Sequence, residues 1–536
     1  MQAVPSARHS CMNDPGQVLR AAAQELLILA GAVSLAVGQT CPDYNEYSQQ
    51  RNHPPFSSGR YHLPSQRPIP ACRTFNSSEV EDTLSRLKDK VSDPDLYRLF
   101  ENTYPNTLDT AIKWKGVAAN NSDEELTFVI TGDINAMWLR DSANQMQSYL
   151  PLLKASDSSD SLASLFRGVI NLQARYVNTS PFCNSFQPPP EARLPRKDGS
   201  NDNVFPKYSN DTVFECKYEL DSLAAFLEVS DNYYNATQDS AFFERFQWLA
   251  AVRSALNVAN AMMTPTYADD GKVNESPYSF TRQTDRASET LLNDGLGSPV
   301  LGGTGLIRSA FRPSDDSTIF QLFIPANMMF SRYLESAANI VAALQNPPGG
   351  LEEEMRDMAA SLRRAISRYG IVDGSTGQIY AYEVDGYGSR NIMDDANIPS
   401  LLSAPFFGYL DENDEVYQNT RRLVLSSSNP YWAKGPVISS VGGPHVGPGK
   451  GWPMALIVRI FTSNDAQEIT AAIQTLLSTT DGLGLIHESI NAFNVSDWTR
   501  QWFSWVNGLF GQMIVDLEAR KPEILSQSFQ GSTERR

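Results

Sequence analysis

Apolar residues recur at the three- and four-residue spacing of an α-helix along most of this 536-residue chain. In the first clear stripe, Val80, Leu84 and Leu87 accompany a capping box formed by Ser78 and Glu81. Further stripes run through residues 242–256, 351–369 and 465–476. Strand signals are few and short, the best at residues 127–132 and 437–441. The pattern therefore predicts a mostly α-helical protein with short β segments in its loops.

Pro/Gly-rich linkers are missing from residues 75–520, so we expect one large helical domain there. We predict a Pro-rich lead at 39–74 and a polar tail at 521–536. Residues 1–38 predict a signal peptide, because their apolar run, 26–37, is too short to span a bilayer and ends in small residues. A signal anchor or a mis-assigned start is the alternative, since the segment before this run is long. Pro-rich residues 181–215 predict a surface loop.

Seven Asn-X-Ser/Thr sequons support the secretory interpretation, at Asn76, Asn120, Asn178, Asn210, Asn235, Asn274 and Asn494. Beyond residue 38 the chain holds four cysteines, which allow three disulfide pairings. Proximity in sequence favours Cys41 with Cys72 and Cys183 with Cys216, and reduced buried thiols are the alternative. We expect a secreted, N-glycosylated protein.

The net charge of −17 disfavours binding to nucleic acid and to anionic membranes, and it suits a neutral partner such as a sugar. No membrane contact is expected beyond the signal peptide. The cysteines lack the close Cys/His spacing of a zinc site, so we expect neither a metal nor another cofactor. We expect a monomer.

Two acidic residues, Asp315 in FRPSDD and Glu488 in GLIHESI, stand in motif-like surroundings. A pair of carboxyl groups is the minimum equipment for hydrolysing a glycosidic bond, because one protonates the leaving oxygen and the other activates water. Polar residues and most of the tryptophans gather in the same few blocks, as expected of loops around a sugar site, although each aromatic taken alone also suits a helical core.

These blocks resemble glycoside hydrolase family 125 over about Val80–Leu517. The resemblance is carried, in order, by GDINAMWLRDSANQ, YELDSL, AFRPSDD, MDDANIPSLLSAPF, GGPHVGPGKGWPM and HESI followed by TRQWFSWVNGLFG. It implies an (α/α)6 barrel and an exo-acting, inverting α-1,6-mannosidase without a catalytic metal. A non-catalytic mannan-binding protein and a sugar phosphorylase on the same barrel are the alternatives.

By motif position, the resemblance implies that Asp315 is the general acid, with Asp316 as the alternative, and that Glu488 is the general base. Motif position and side-chain chemistry together give a candidate substrate-binding set. Its members are Asp133, Trp138, Arg140, Asp141, Asp221, Asp316, Asp395, Asn397, His445, Trp452, His487 and Trp505.

Overall fold

The computed structural model describes residues 41–196, 201–375 and 377–530. Contacts divide the chain into a small unit, Met1–Asp43, and a large one, Tyr44–Arg536. The predicted signal peptide lies outside the described residues. Among the described residues, no helix is both long and apolar enough to cross a membrane.

The structure is predominantly helical, as predicted. The helices of nine or more residues are α1 (Ser78–Lys88), α2 (Pro94–Thr103), α3 (Leu139–Gln147), α4 (Leu162–Thr179), α5 (Leu220–Thr237), α6 (Trp248–Ala261), α7 (Ile324–Ala342), α8 (Leu351–Ala365), α9 (Glu415–Val424), α10 (Pro453–Phe461), α11 (Ala466–Ser478) and α12 (Ser504–Arg520). Shorter helices cover Tyr44–Tyr47, Ser240–Arg245, Leu292–Gly295 and Pro522–Leu525.

The helices pack in two layers. In one layer α10, α12, α3, α5 and α7 form a row in which each helix contacts the next. The second layer covers this row, with α11 on α10, α2 on α12, α4 on α3 and α5, and α8 on α7. Helices α5, α7 and α12 of this row are buried along most of their length, which explains why their apolar residues are less confined to one stripe than those of α1 and α8.

The strands are short and join into small antiparallel sheets of two or three strands. They are β1 (Ile112–Ala118), β2 (Asn121–Val129), β3 (Met137–Trp138), β4 (Ser185–Phe186), β5 (Asn203–Phe205), β6 (Val213–Glu215), β7 (Ser279–Thr281), β8 (Leu322–Phe323), β9 (Ile371–Gly374), β10 (Gly377–Tyr380), β11 (Glu383–Val384), β12 (Arg390–Asn391), β13 (Trp432–Lys434), β14 (Ser439–Val441), β15 (Lys450–Gly451), β16 (Ser489–Asn491) and β17 (Asn494–Thr499). Short strands are more numerous than the sequence predicted.

Two helix predictions need correction. The cap of α1 is Ser77 rather than Ser78, because the Ser77 hydroxyl accepts the bond from the Val80 N–H. The stripe at 242–256 is not one helix, since the chain leaves helical geometry at Phe246 before α6 begins.

The segments outside the predicted domain pack against it. Leu63 in the lead is fully buried, and Gln66 donates to the carbonyl of Leu483 at 2.8 Å. In the tail, Ile524 and Phe529 are buried. These contacts make residues 44–74 of the lead and 521–530 of the tail part of the large unit.

The segment 181–215 is more than a surface loop. Cys183 is bonded to Cys216, as predicted, and this disulfide joins its two ends. Residues 184–187 next to the bond are buried, and β4 pairs with both β3 and β6. Cys41 and Cys72 are each disulfide-bonded as well, and their mutual pairing stays a prediction.

Candidate active site

The candidate site lies where the row helices begin. Arg140 and Asp141 occupy the first turn of α3, and Asp221 occupies the first turn of α5. Trp452 directly precedes α10, whose first residue is proline, and Trp505 lies in the first turn of α12. Helix starts carry partial positive charge, which favours acidic side chains in these turns. The starts of the row helices thus bring together residues that are far apart in sequence.

These residues surround a cleft that holds about 380 Å³ of empty space. Its lining comprises Thr131, Ile134, Trp138, Arg140, Asp141, Pro313, Ser314, Asp315, Asn397, His445, Trp452, Glu488, Arg500, Phe503 and Trp505. Both predicted catalytic carboxyl groups belong to this lining.

Asp315 sits in a tight turn that faces the cleft. Its φ of 65° is left-handed, a conformation that aspartate tolerates better than most residues, and its N–H donates to the carbonyl of Arg312 at 2.9 Å. The Lys217 ammonium donates to the backbone carbonyl of Asp315 at 2.8 Å, and an Arg140 Nη lies 3.9 Å from its Oδ1. The side chain is 26% exposed, whereas that of Asp316 is 2% exposed. Asp315 is therefore the member of the pair that can reach a ligand.

Glu219 lies behind Asp315 and was not predicted. It is 1% exposed, and its Oε2 accepts from Arg140 at 2.5 Å and from Ser222 at 3.0 Å. Its carboxyl group and that of Asp315 lie close enough to form a hydrogen bond when one of the two carries a proton.

The charges around this pair decide where the proton resides. Burial raises the pKa of Glu219 well above its usual range. Burial also acts to raise the pKa of Asp315, but the nearby charges of Lys217, Arg140 and His445 outweigh it and lower that pKa. In the free protein, Glu219 therefore holds the proton and donates it to ionised Asp315.

Glu488 is paired with Arg500 rather than with another acid. The Arg500 Nη1 lies 3.5 Å from its Oε1, and the same guanidinium donates through Nε to Asp133 at 2.8 Å. Arg500 also donates to the Thr131 hydroxyl at 3.2 Å and stacks over the Phe503 ring at 4.4 Å. Three contacts besides Glu488 thus fix the guanidinium that faces this carboxylate.

His445 carries positive charge into the cleft. Its Nδ1 lies 3.7 Å from the Asp316 carboxylate. Burial acts to lower the pKa of His445, but the nearby carboxylate of Asp316, with the charges of Glu488 and Asp315, raises it to about 9. Asp316 therefore affects the cleft indirectly, by favouring the charged form of His445.

Asp395 supports the cleft from below. Its Oδ1 accepts from the N–H of Asn397 at 3.1 Å, which orients the Asn397 side chain at the cleft wall. Asp394 holds the same loop, because its two oxygens accept from the N–H groups of Leu401 and Leu402 at 2.9 Å each.

Asp141 is the second acidic side chain of the α3 turn. It lies 3.5 Å from the Arg140 guanidinium. Burial is the main cause that raises its pKa to about 6, and Arg140 opposes the change. The Arg140 guanidinium thus faces four acids, since it also bonds to Asp221 at 3.1 Å beneath the cleft and to Glu219.

Comparison with known proteins identifies the family. The sequence model of the metal-independent α-mannosidases, glycoside hydrolase family 125, matches residues 93–515. The chain belongs to glycoside hydrolase family 125. This family-125 chain is thus a glycoside hydrolase of the α-mannosidase class.

Two relatives extend the comparison. The meiotically up-regulated gene 157 protein of Schizosaccharomyces pombe is 46% identical over 494 residues, which covers 91% of this chain and 95% of the relative. A solved metal-independent α-mannosidase of Streptococcus pneumoniae, in a non-productive substrate complex with α-1,6-mannobiose, is 34% identical with a TM-score of 0.73. That comparison covers 83% of this chain and 99% of the solved chain.

The structure of the family-125 chain brings most of the predicted site residues together. Asp133, Asp221, Asp316 and Asp395 do not line the cleft but contact residues that do. His487 is an exception that corrects the prediction. It is fully buried, stacks on Trp498 and has backbone carbonyls beside both ring nitrogens, and burial lowers its pKa to about 4. The structure therefore places the His487 ring outside the cleft lining.

Three charged residues around the family-125 cleft were not predicted from the sequence. Arg500, Glu219 and Lys217 all lie within motif blocks, but their contacts join segments up to 369 positions apart in sequence. Only the order of the blocks signalled that they meet. Among the described residues, no group of three or more His, Cys, Asp or Glu side chains is arranged to hold a metal ion.

Proposed function

We propose that the protein is an exo-acting, inverting α-mannosidase that removes terminal α-1,6-linked mannose from the non-reducing ends of glycans. The observation that carries the proposal is the cleft itself, which presents Asp315 and Glu488 with different charged neighbours. The α-1,6 linkage follows the ligand named for the Streptococcus pneumoniae relative.

In this mechanism Asp315 is the general acid and Glu488 the general base. Glu488 takes a proton from a water molecule that attacks the anomeric carbon, while Asp315 protonates the leaving oxygen. Inversion requires roughly 6.5–9.5 Å between the two carboxyl groups, enough for that water. The mannose is released as the β-anomer.

Glu219 supplies the proton that Asp315 lacks in the free protein. When substrate binds, the proton of Glu219 moves to Asp315, and Asp315 then passes this same proton to the glycosidic oxygen as the bond to the anomeric carbon breaks. Arg140 then balances the charge left on Glu219, since its guanidinium already contacts that carboxyl group. Glu219 is a positioning and proton-holding residue rather than one that touches the sugar.

The remaining lining residues would bind the ring. Trp138, Trp452 and Trp505 offer flat apolar faces to the C–H side of a sugar, and Asn397 and His445 offer hydrogen-bonding groups to its hydroxyls. The two layers of helices support an (α/α)6 barrel, whose inner helices would be the row that begins at the cleft.

Secretion remains part of the proposal. Five of the seven sequon asparagines, Asn76, Asn120, Asn210, Asn235 and Asn494, are exposed, as a glycosylated protein requires. Enzymatic removal of N-glycans from protein secreted by a eukaryotic host should lower its mass, and an unchanged mass would contradict this part.

The deciding experiment is NMR detection of the first anomer released from α-1,6-mannobiose. Wild type should release β-mannose at a rate independent of added phosphate, and Glu488→Gln and Asp315→Asn should each slow release by about a hundredfold or more. Asp316→Asn is the matched control, and it should affect the rate less because Asp316 does not line the cleft. Release of α-mannose, a phosphate requirement, or no release by folded wild type would each refute the proposal.

A further inference from the structure

A second pocket, separate from the active-site cleft, contains a buried cation without an acidic partner. Arg308 is 4% exposed, and its Nε donates to the carbonyl of Met262 at 3.3 Å. Within the described residues no carboxylate forms a salt bridge with it. A buried guanidinium stays protonated in proteins and costs free energy unless an anion compensates it.

Arg308 is the only charged residue among those that line this pocket, which holds about 710 Å³ of empty space and shares no lining residue with the cleft. The polar side chains around it are already engaged with the backbone: Thr266 accepts from the N–H of Val300, Asn274 donates to Pro265, Ser276 to Tyr278 and Asn293 to Gly297. The guanidinium of Arg308 is therefore the charged donor that this lining offers to a ligand.

The rest of the wall is apolar and open to solvent. Tyr267, Val273 and Leu296 line the pocket and are 46%, 62% and 41% exposed, although large apolar side chains are usually covered. One cation among exposed apolar groups suits a ligand that has one negative charge and an apolar body.

We propose that this pocket binds a small organic anion, a carboxylate or phosphate monoester with an apolar chain, whose charged group pairs with Arg308. The guanidinium would donate two hydrogen bonds to the anion, and the chain would cover Tyr267, Val273 and Leu296. The site is independent of the mannosidase proposal, because none of these residues lines the cleft.

Calorimetric titration with hexanoate, hexyl phosphate and neutral hexanol tests the site. The protein should be made in a bacterial host that forms disulfides, so that the sequon at Asn274 on the pocket wall carries no glycan. At least one anion should bind on the order of tenfold more tightly than hexanol, and the stronger one identifies the head group. Equal or undetectable binding of all three would overturn the proposal.

Two variants locate the binding. Arg308→Gln should weaken the anion on the order of tenfold and leave hexanol unchanged. Because this variant removes a buried side chain and can fail to fold, Val273→Asp gives a second test, since it adds a repelling charge at an exposed position. Val117→Asp, on an exposed valine of β1 outside the pocket, is the matched control. Anion affinity unchanged in Val273→Asp, or reduced equally in Val117→Asp, would refute the site.

Discussion

At the scale of single residues, the contact between Glu219 and Asp315 predicts how kcat/KM depends on pH. Glu219→Gln removes the group that holds the proton, while the cations beside Asp315 continue to lower its pKa. Asp315 would then lose its proton at a lower pH than the wild-type pair does. We expect the alkaline limb of the kcat/KM profile to shift to lower pH, with at least about a tenfold loss of rate at pH 7 and partial recovery near pH 5.

The matched control for Glu219→Gln is Asp221→Asn. Asp221 also bonds to Arg140, but it has no hydrogen bond to Asp315. This variant should shift the alkaline limb less than Glu219→Gln does, because Asp221 acts on Asp315 only through its charge. If Glu219→Gln lowers the rate equally at every pH, Glu219 has only a structural role.

Arg500 gives a second prediction at this scale. Lysine keeps the charge but cannot hold Asp133, Thr131 and Glu488 together, because it lacks the planar fork of arginine. Arg500→Lys should lower kcat roughly ten- to a hundredfold, measured with mannobiose, at an unchanged melting temperature. Arg51→Lys, in an exposed pair with Asp481, should leave kcat unchanged. Equal kinetics in both variants would remove Arg500 from the site.

The sequence could predict Asp315 and Glu488 because they stand in ordered motifs, but it could not separate His487 from its neighbour. The two residues directly precede β16, where the Glu488 N–H donates to the carbonyl of Thr499, and only Glu488 lines the cleft while His487 is fully buried. Glu488 therefore faces the cleft while His487 faces the core. Glu219 and Arg500 gain their roles only from tertiary contacts, which no local pattern reports.

At the scale of elements, helices α5 and α7 meet through a buried acid. Glu228 on α5 is 1% exposed and accepts from the Tyr333 hydroxyl of α7 at 2.8 Å. Burial raises its pKa from 4.5 to about 7. The raised pKa stabilises the folded protein by roughly 3 kcal/mol below pH 4.5, and this contribution is lost as pH rises through about 7.

Glu228→Gln tests this interface. Because glutamine stays neutral, the melting temperature of the variant relative to wild type should rise by a few degrees between pH 5 and pH 8.5. Glu335→Gln, an exposed position on α7, should show no such change. A relative melting temperature that stays constant with pH would contradict the buried-acid interpretation.

The sequence predicted helices and strands well where one face of the element is apolar. It predicted them poorly where tertiary contacts determine the local structure. The cap Asp465 and the stripe at 465–476 correctly predicted α11, since local hydrogen bonds and one buried face define that helix. Most of the two-residue strands escaped prediction because their pairing joins distant segments, as in β8 with β11. These strands matter for the site, since β3 ends at Trp138 and leads directly into α3.

At the scale of the whole molecule, the two end segments of the large unit pack against its helices. Arg67 of the lead donates to Asp109 at 2.7 Å, ahead of β1. In the tail, the Phe529 N–H donates to Asp93 at 2.7 Å, next to the start of α2. Composition alone made both segments resemble appendages, because their few apolar residues do not repeat at a helical spacing. Neither end contributes to the cleft lining.

The tail should therefore contribute to stability but not to catalysis. Phe529 is 2% exposed, so Phe529→Ala should remove about 3–5 kcal/mol and lower the melting temperature by several degrees. Phe493→Ala is the matched control, because Phe493 is 73% exposed and its removal should leave the melting temperature almost unchanged. Both variants should keep wild-type kcat on mannobiose at 25 °C, since neither side chain reaches the cleft. Equal melting temperatures in the two variants would show that the tail is dispensable for stability, as its composition first predicts. A loss of kcat in folded Phe529→Ala would show that the tail acts on the active site.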